Sequence, residues 1–227
     1  MKREVVKTSD GSTTIHLPDW NENYHSTHGA IQEAKHVFIA KGLSVISKSE
    51  IAILEIGFGT GLNCFITLLE AEKRKISVNY VGIEAYPVTE DEARQLNYVS
   101  ELDVVEKQAV FNQLHHVSWE ESHEVVTGFS LEKRKQFFKD ITAQNQFDLV
   151  YFDAFGAAHQ PELWSVAIFR IMFIAMRENG VLVTYCAKGS VRRAMQEVGF
   201  TVERLDGPPG KREMLRATKH SAQLHVL

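Results

Sequence analysis

The sequence predicts a single α/β domain with an open, Rossmann-like sheet that is doubly wound by helices on both faces. Three observations support this prediction. The chain has 227 residues, which is enough for one domain with a full core and short for two. From residue 51 onward, apolar runs of strand length alternate with helix-like segments. A glycine-rich loop at residues 57–61 follows the first apolar run, at the place where such sheets bind ligands.

Composition and charge are ordinary for a soluble globular protein, with 44% hydrophobic residues, 24% charged residues and a net charge of −4. A nucleic-acid partner would therefore need a local basic patch. The two cysteines are distant and no Cys-x-x-Cys occurs, so we expect neither a disulfide nor a metal site. The N-terminus has no apolar leader and no segment is long enough to span a bilayer, so we expect a cytoplasmic protein without a membrane partner.

Residues 1–45 are predicted to form an extension that packs on the domain. Two β-type runs, residues 4–8 and 13–17, flank an Asp-Gly turn signal and predict a hairpin. A helix is predicted at residues 30–41, because a glycine follows it as a typical C-terminal residue.

The remaining segments predict the main sheet and its helices. The predicted strands are residues 51–56, 78–84, 129–136, 147–152, 181–186, 201–205 and 213–217. The predicted helices are residues 62–75, 161–177 and 190–198. The helix at 161–177 is apolar almost all round, which indicates that it is well buried, and residues 89–125 are predicted to be a polar, helical insertion. Because the last two strands form a hairpin, we expect an antiparallel strand at one edge.

The glycine loop narrows the choice of ligand. Glycines permit a tight turn and a close approach of backbone to ligand, and a helix N-terminus favours an anionic group. A dinucleotide fingerprint needs glycine where Leu62 stands, and a phosphate-binding P-loop needs Lys-Ser or Lys-Thr where the chain has Leu62-Asn63. What remains is Glu-x-Gly-x-Gly-x-Gly from Glu55 to Gly61, which resembles the first motif of class I S-adenosylmethionine-dependent methyltransferases.

Three acids are expected beside this loop. Glu84 ends the second strand of the main sheet, where a carboxylate can accept hydrogen bonds from ribose hydroxyls. Asp140 follows the third strand and is placed to accept from an adenine amino group, and Asp153 ends the fourth strand, where the reacting centre should lie. Carboxylates at strand ends are also common on protein surfaces, but agreement at several strand ends favours a binding site.

Further strings carry a resemblance to a known family. They are Tyr24-His25-Ser26-Thr27-His28-Gly29-Ala30-x-x-Glu33-Ala34-x-His36-Val37-Phe38, Glu55 to Asn63, Glu84-Ala85-Tyr86-Pro87, Asp153-Ala154-Phe155 followed by Pro161-Glu162-Leu163-Trp164, Val191-Arg192-Arg193, and Gly210-Lys211-Arg212-Glu213-Met214. Together they resemble, over nearly the whole chain, the methyltransferase domain of the bacterial enzymes that make 5-methylaminomethyl-2-thiouridine at the tRNA wobble position, the MnmC or MnmD family.

The resemblance implies methylation, with S-adenosylmethionine as cofactor, of the exocyclic amine of 5-aminomethyl-2-thiouridine in tRNA. Bifunctional relatives continue into a flavin-dependent oxidase domain. Because this chain stops at Leu227, we expect the stand-alone methyltransferase, residues 1–227, with a separate modification enzyme acting upstream. Residues 156–160 and the insertion at 89–125 depart from the family's pattern.

The predicted site has one catalytic residue. Asp153 is expected to accept a hydrogen bond from the amine, orient its lone pair and stabilise the positive charge that develops, and it could also relay a proton. By resemblance, Tyr24, Ser26 and Gly29 close over the methionine end of the cofactor, although Tyr24 could instead only pack on the core. The predicted cofactor-binding residues are Tyr24, Ser26, Gly29, Glu55, Gly57, Gly59, Thr60, Gly61, Asn63, Glu84, Asp140 and Asp153.

Basic residues late in the chain are the candidates for contacts with tRNA phosphates. They are Lys188, Arg192, Arg193, Lys211, Arg212 and Arg216. Contacts with phosphates would make the affinity salt-dependent. The alternative is a solvated face, which is the commoner meaning of a charge run.

Three other functions remain open. An aminopropyltransferase of the spermidine-synthase type shares the fold, but such enzymes tend to carry an acid in the glycine loop, where this chain has Thr60. A methyltransferase of a small-molecule amine would share the cofactor signature without needing the basic residues. A non-catalytic binding module would have no physical need for Glu84, Asp140 and Asp153.

Overall fold

The computed structural model describes residues 2–221, so Met1 and residues 222–227 of the predicted domain lie outside the described residues. The described residues form a three-stranded sheet near the N-terminus and an eight-stranded main sheet. No helix among residues 2–221 is both long and apolar enough to cross a bilayer.

The N-terminal sheet is antiparallel and confirms the predicted hairpin. Its strands are β1 (Glu4–Lys7), β2 (Thr13–Leu17) and β3 (Glu22–Asn23). The sequence pattern does not predict β3, which is only two residues long and pairs with the end of β2. The predicted helix follows as α1 (Ala30–Ala34), which continues in a π-helical segment (Lys35–Ala40).

The main sheet has the predicted strands and one more. They are β4 (Glu50–Ile56), β5 (Ser77–Ile83), β6 (Ser122–Val126), β7 (Phe129–Arg134), β8 (Phe147–Phe152), β9 (Met176–Thr184), β10 (Thr201–Asp206) and β11 (Glu213–Thr218). The order across the sheet is β10-β11-β9-β8-β4-β5-β7-β6. The five central strands are parallel, whereas β11 and β6 pair antiparallel with their neighbours. The antiparallel pairing of β11 with β9 and β10 confirms the predicted late hairpin.

Helices cover both faces of this sheet. They are α2 (Leu62–Arg74), α3 (Glu90–Ala93), α4 (Tyr98–Glu101), α5 (Gln108–His116), α6 (Val166–Ala175) and α7 (Gly189–Glu197). Alternate residues of β4 enter two cores, because Ile51 and Ile53 pack on the α2 side whereas Leu54 and Ile56 pack on the side of α6 and α7. Burial on both faces explains why β4 reads as one continuous apolar run. The doubly wound α/β fold is therefore confirmed.

Two segments differ from their sequence predictions. The insertion at 89–125 is not wholly helical, because its last residues form β6, which pairs with β7. The predicted helix at 161–177 is shorter and less buried, since a 3₁₀ turn precedes α6 and Ile174 is 46% exposed. The side chain of Ser165 accepts a hydrogen bond from the backbone N–H of Ile168 and so fixes where α6 begins.

Candidate active site

The glycine loop joins β4 to α2 at the carboxyl edge of the sheet. The order of the sheet reverses beside β4, which has β5 on one side and β8 on the other. Gly57 and Gly59 have positive φ angles of 87° and 47°. A Cβ atom on Gly57 would lie 2.7 Å from the carbonyl oxygen of Asp153, and one on Gly59 would lie 3.0 Å from the ring of Tyr24. Both conformation and space therefore require glycine here.

Glu84 stands directly after β5 and touches this loop. Its Oε2 accepts a hydrogen bond from the backbone N–H of Gly59 at 3.0 Å, and its Oε1 accepts one from the N–H of Tyr86 at 2.9 Å. Each carboxylate oxygen has a second lone pair, so Glu84 can still accept from a ligand. It lines the large cavity described below.

Asp153 stands directly after β8, on the other side of β4. The side-chain amide of Asn63 donates to Asp153 Oδ2 at 2.8 Å and to Glu55 Oε1 at 2.9 Å. The hydroxyl of Tyr80 donates to the other oxygen of Glu55 at 2.9 Å. Burial raises the pKa of Glu55 well above its ordinary value, and Glu55 supports Asn63 from beneath the site.

The surroundings of Asp153 also change its acidity. Burial and the nearby carboxylate of Glu33 raise the pKa of Asp153 to about 7, although the hydrogen bond from Asn63 and the charge of Lys211 act in the opposite direction. A carboxyl group with this pKa exchanges its proton readily near neutral pH, as a general acid or base must.

A cavity of about 1070 Å³ lies over the carboxyl edge of the sheet. Five of the predicted site residues line it, and they are Tyr24, Gly57, Gly59, Glu84 and Asp153. Its volume is at the upper end of that of small-molecule sites, which leaves room for a cofactor and part of a second substrate.

Other predicted cofactor residues lie behind this wall rather than on it. Glu55 and Asn63 support Asp153, as described above. Thr60 is buried, and its hydroxyl is 2.8 Å from Nε2 of His25 and accepts from the hydroxyl of Tyr98 at 3.1 Å. Gly61 precedes the first residue of α2. These residues fix the loop and do not line the cavity.

Ser26 and Gly29, predicted to close over the cofactor, also lie off the cavity wall. The backbone N–H of Ser26 donates to Oε1 of Glu33 at 3.1 Å, and Gly29 precedes the first residue of α1. Both residues shape the turn that presents Glu33, which is buried.

The structure does not place Asp140 beside the cavity. Asp140 is exposed and ends a 3₁₀ turn, Phe138–Asp140, several residues beyond β7. Phe137, Phe138 and Lys139 line the cavity instead. This turn puts two aromatic rings on the wall and Asp140 off it, and the contact of Asp140 with an adenine amino group stays a prediction.

Arg3, Trp20 and Phe155 line the cavity but are not among the predicted site residues. The ring of Phe155 makes edge-to-face contacts with Trp20 and Tyr24, at centroid distances of 5.9 and 5.0 Å. Arg3 donates to the backbone oxygens of Tyr86 and Pro87 at 2.6 and 3.0 Å. For Trp20 the sequence does offer a signal, because it is an aromatic residue in the loop between β2 and β3 and loop residues often carry function.

The six basic residues predicted to contact RNA do not form one set. Lys188, Arg193 and Arg212 are exposed, and Arg192 is half-buried. Lys211 forms an ion pair with buried Glu33. Arg216 lies within β11, where its Nε is 2.9 Å from the carboxylate of Glu203. The structure therefore separates Lys211 and Arg216 from the exposed cations.

Comparison with known proteins agrees with this geometry. Residues 131–220 match a family model described as S-adenosyl-L-methionine-dependent methyltransferase. Over these residues the chain is similar to the S-adenosylmethionine-dependent methyltransferases. The crystal structure of MNMC2 from Aquifex aeolicus superimposes with a TM-score of 0.76 and 25% sequence identity, covering 97% of this chain and 71% of that one. Spermidine synthase from Thermotoga maritima, at a TM-score of 0.56 and 13% identity, shares the fold alone.

Sequence relatives are consistent with this family. The tRNA 5-methylaminomethyl-2-thiouridine biosynthesis bifunctional protein MnmC of Delftia acidovorans is 31% identical over 90% of this chain, and that of Cupriavidus necator is 32% identical over 88%. These alignments cover 33% and 32% of the two relatives, so this methyltransferase chain spans about a third of their length.

The residues present fit S-adenosylmethionine, the cofactor of this methyltransferase family. Gly57 and Gly59 leave a cradle that no side chain could occupy without a clash or close contact. Glu84 would hold the ribose hydroxyls with its free lone pairs, and the N-terminus of α2 favours the carboxylate of the methionine part. Asp153 lines the same cavity, beside the loop.

Proposed function

We propose that this methyltransferase acts on tRNA and methylates the amine of 5-aminomethyl-2-thiouridine at the wobble position, giving 5-methylaminomethyl-2-thiouridine. The observation that carries the proposal is Asp153, a carboxyl group with a pKa of about 7 that lines a large cavity beside the cofactor loop. The names of the relatives from Delftia acidovorans and Cupriavidus necator support the choice of substrate.

The amine must lose a proton before it can attack. An alkylammonium group has no free lone pair, so a base at the reacting centre is required. Asp153 accepts a hydrogen bond from this group and, as a carboxylate, takes one N–H proton on its oxygen. Asn63 keeps the carboxylate in place through Oδ2. Once it holds that proton, the Asp153 carboxyl is uncharged, and its carbonyl oxygen can still accept a hydrogen bond from a remaining N–H and so orient the freed lone pair as the new N–C bond forms.

S-adenosylmethionine supplies a methyl group on a positively charged sulfur that needs no protonation to leave. This chain therefore has mainly to bind, orient and dehydrate the reactants. Glu84 holds one end of the site and Asp153 the other. Trp20 and Phe155, which line the cavity, offer ring surfaces against which an extruded base can pack.

Contacts with the rest of the tRNA would come from exposed cations. Lys188 directly precedes α7, Arg193 lies in the middle of α7, and Arg212 directly precedes β11. Such residues would bind phosphates and give an affinity that weakens with salt. Because the substrate already carries an aminomethyl group, a separate enzyme has to act upstream.

The deciding experiment is mass spectrometry of the wobble nucleoside. tRNA that carries 5-aminomethyl-2-thiouridine is incubated with the protein and S-adenosylmethionine, and a matched tRNA with an unmodified wobble uridine serves as the control. We expect one added methyl group in the first tRNA and none in the second. If the first tRNA is unchanged while a small-molecule polyamine is methylated, the tRNA assignment is wrong.

A further inference from the structure

Two charged residues lie close to Asp153 and have no part in the chemistry proposed above. Glu33 belongs to α1 and is buried, and Lys211 follows the turn between β10 and β11. The ammonium group of Lys211 forms an ion pair with Oε2 of Glu33, whose side chain is 7% exposed. A buried carboxylate is stable only with such partners, so this pair is a built feature of the fold.

Close packing brings these two distant segments together. A Cβ atom on Gly210 would lie 2.1 Å from the ring of His28, and Gly210 has a positive φ of 83°. The turn that precedes Lys211 is therefore pressed against the turn that precedes α1. On the other side, the backbone N–H of Ser26 donates to the remaining oxygen of Glu33 at 3.1 Å. Both ends of the pair are held in place.

Lys211 also reaches the segment that carries Asp153. Its ammonium nitrogen lies 3.8 Å from the ring centroid of Tyr185, within the range of a cation–π contact. The hydroxyl of Tyr185 donates to the backbone oxygen of Ala154 at 2.8 Å. Lys211 is thus connected through one side chain to the residue that follows Asp153. An exposed lysine available for RNA phosphates would not be held at two points.

The charges of the pair act on Asp153 in opposite directions. The carboxylate of Glu33 raises the pKa of Asp153, and the ammonium of Lys211 lowers it. Burial is the largest cause of the raised pKa, and Asn63 opposes it.

The other titratable groups that face this region include His25, whose pKa burial lowers to about 4, so that its ring is neutral at neutral pH. Tyr185 is held un-ionised by burial, which raises its pKa, and Glu55 is separated from Asp153 by Asn63. Glu22 and His159 pair with each other at 2.8 Å, close to Gly156. Burial also raises the pKa of the thiol of Cys186, so that it carries no charge at neutral pH.

We propose that Glu33 and Lys211 are paired positioning residues that together set the charge of the Asp153 carboxylate, and that Lys211 works in the active site rather than on RNA phosphates. The inference rests on the proposed function, in which Asp153 receives the proton of the amine. With Glu33 alone, Asp153 would stay protonated and could not act as a base. With Lys211 alone, Asp153 would be a weaker proton acceptor.

The test compares kcat as a function of pH, at saturating S-adenosylmethionine and tRNA, in five proteins. They are the wild type, Lys211→Met, Glu33→Gln, the double variant, and Arg212→Met as the control with the same charge change one residue along the chain. We expect the acidic limb to move up by roughly one pH unit in Lys211→Met and down by a similar amount in Glu33→Gln, with the double variant near wild type. A sixth protein, Lys211→Arg, keeps the positive charge and should show the wild-type profile.

Arg212→Met should raise KM for tRNA and leave the pH profile in place. If Lys211→Met also raises KM for tRNA without moving the profile, Lys211 contacts RNA and the inference is overturned. If both pair variants move the profile in the same direction, or lose activity only in proportion to a lower Tm, the pair is structural and the inference is equally wrong.

Failure of the proposed function is recognised separately. In that case the wild-type protein methylates no tRNA, and the carboxyl carbon of Asp153 is titrated by NMR in the wild type and the two single variants. Opposite displacements of its titration midpoint still support the pair, and an unchanged midpoint overturns it.

Discussion

The strands on either side of β4 both end in an acid, but the two acids have different neighbours. Glu84, after β5, is held by two backbone N–H groups at the wall of the cavity. Asp153, after β8, is held by the side chain of Asn63 and lies near the carboxylate of Glu33, and its pKa is raised to about 7. Fixed N–H donors make Glu84 a rigid hydrogen-bond acceptor, whereas burial and a neighbouring charge make Asp153 a group that exchanges protons. The position at the strand end is shared, and the neighbours decide the chemistry.

The largest effect is expected from Asp153→Asn. This change removes the proton acceptor while keeping the size of the side chain and its place beside Asn63. We expect kcat for tRNA methylation to fall by roughly 100- to 10,000-fold. Affinity for S-adenosylmethionine, measured by calorimetry, should remain within a few-fold of wild type, and a comparable loss of both would mean that Asp153 holds the cofactor instead.

Glu84→Ala tests the other side of the comparison. Loss of charge-assisted hydrogen bonds should weaken S-adenosylmethionine binding by roughly 10- to 100-fold, with kcat at saturating cofactor much less affected. Asp140→Ala is the matched change at an exposed acid off the cavity wall, and we expect less than about a threefold change in affinity. Equal losses of S-adenosylmethionine affinity in the two variants would mean that Asp140 also binds the cofactor.

The raised pKa of Asp153 should make the free energy of unfolding depend on pH. The folded state keeps a proton on Asp153 up to about pH 7, while the unfolded chain releases it near 3.8, so this group makes the protein less stable as pH rises between these values. Asp153→Asn removes that loss. We expect its Tm to exceed that of wild type by about 10 °C at pH 8, or roughly 4 kcal/mol. The two Tm values should converge near pH 4, and a difference that is constant with pH would contradict the raised pKa.

The smallest effects are expected at the exposed cations proposed to contact RNA. Arg193→Ala should weaken tRNA binding about threefold and lower the slope of its salt dependence by about one, because an exposed cation on α7 is lost. Arg216→Ala is the matched control, since Glu203 already holds that guanidinium. A gel-shift titration at several salt concentrations measures both, and equal slopes for the two variants would contradict the assignment of Arg193.

Most of the fold could be predicted from local patterns. The strand β4 is buried on both faces, so its residues are apolar without interruption and the pattern is plain in the sequence. The short strand β3 and the edge strand β6 were missed, because a two-residue strand has no periodicity and an edge strand carries many polar residues.

The positions of Glu84 and Asp153 on the cavity could be predicted, because each depends on a single place at a strand end. The site was not predicted where several segments meet. The distance in sequence between Glu33 and Lys211 hides their ion pair, so the sequence shows Lys211 only as one more late cation. Trp20 was missed for the same reason, since only the N-terminal sheet brings it to the cavity.

The sequence by itself determined the sheet, the glycine loop and the places of the two acids. Each of these depends on backbone conformation or burial at single positions, and both restrict which residue type can stand there. The tertiary structure alone decided which acid is buried near other charges, which cations stay exposed, and that Asp140 lies off the cavity. These properties depend on burial and on charges from distant segments, and such contacts are set by packing rather than by any local pattern.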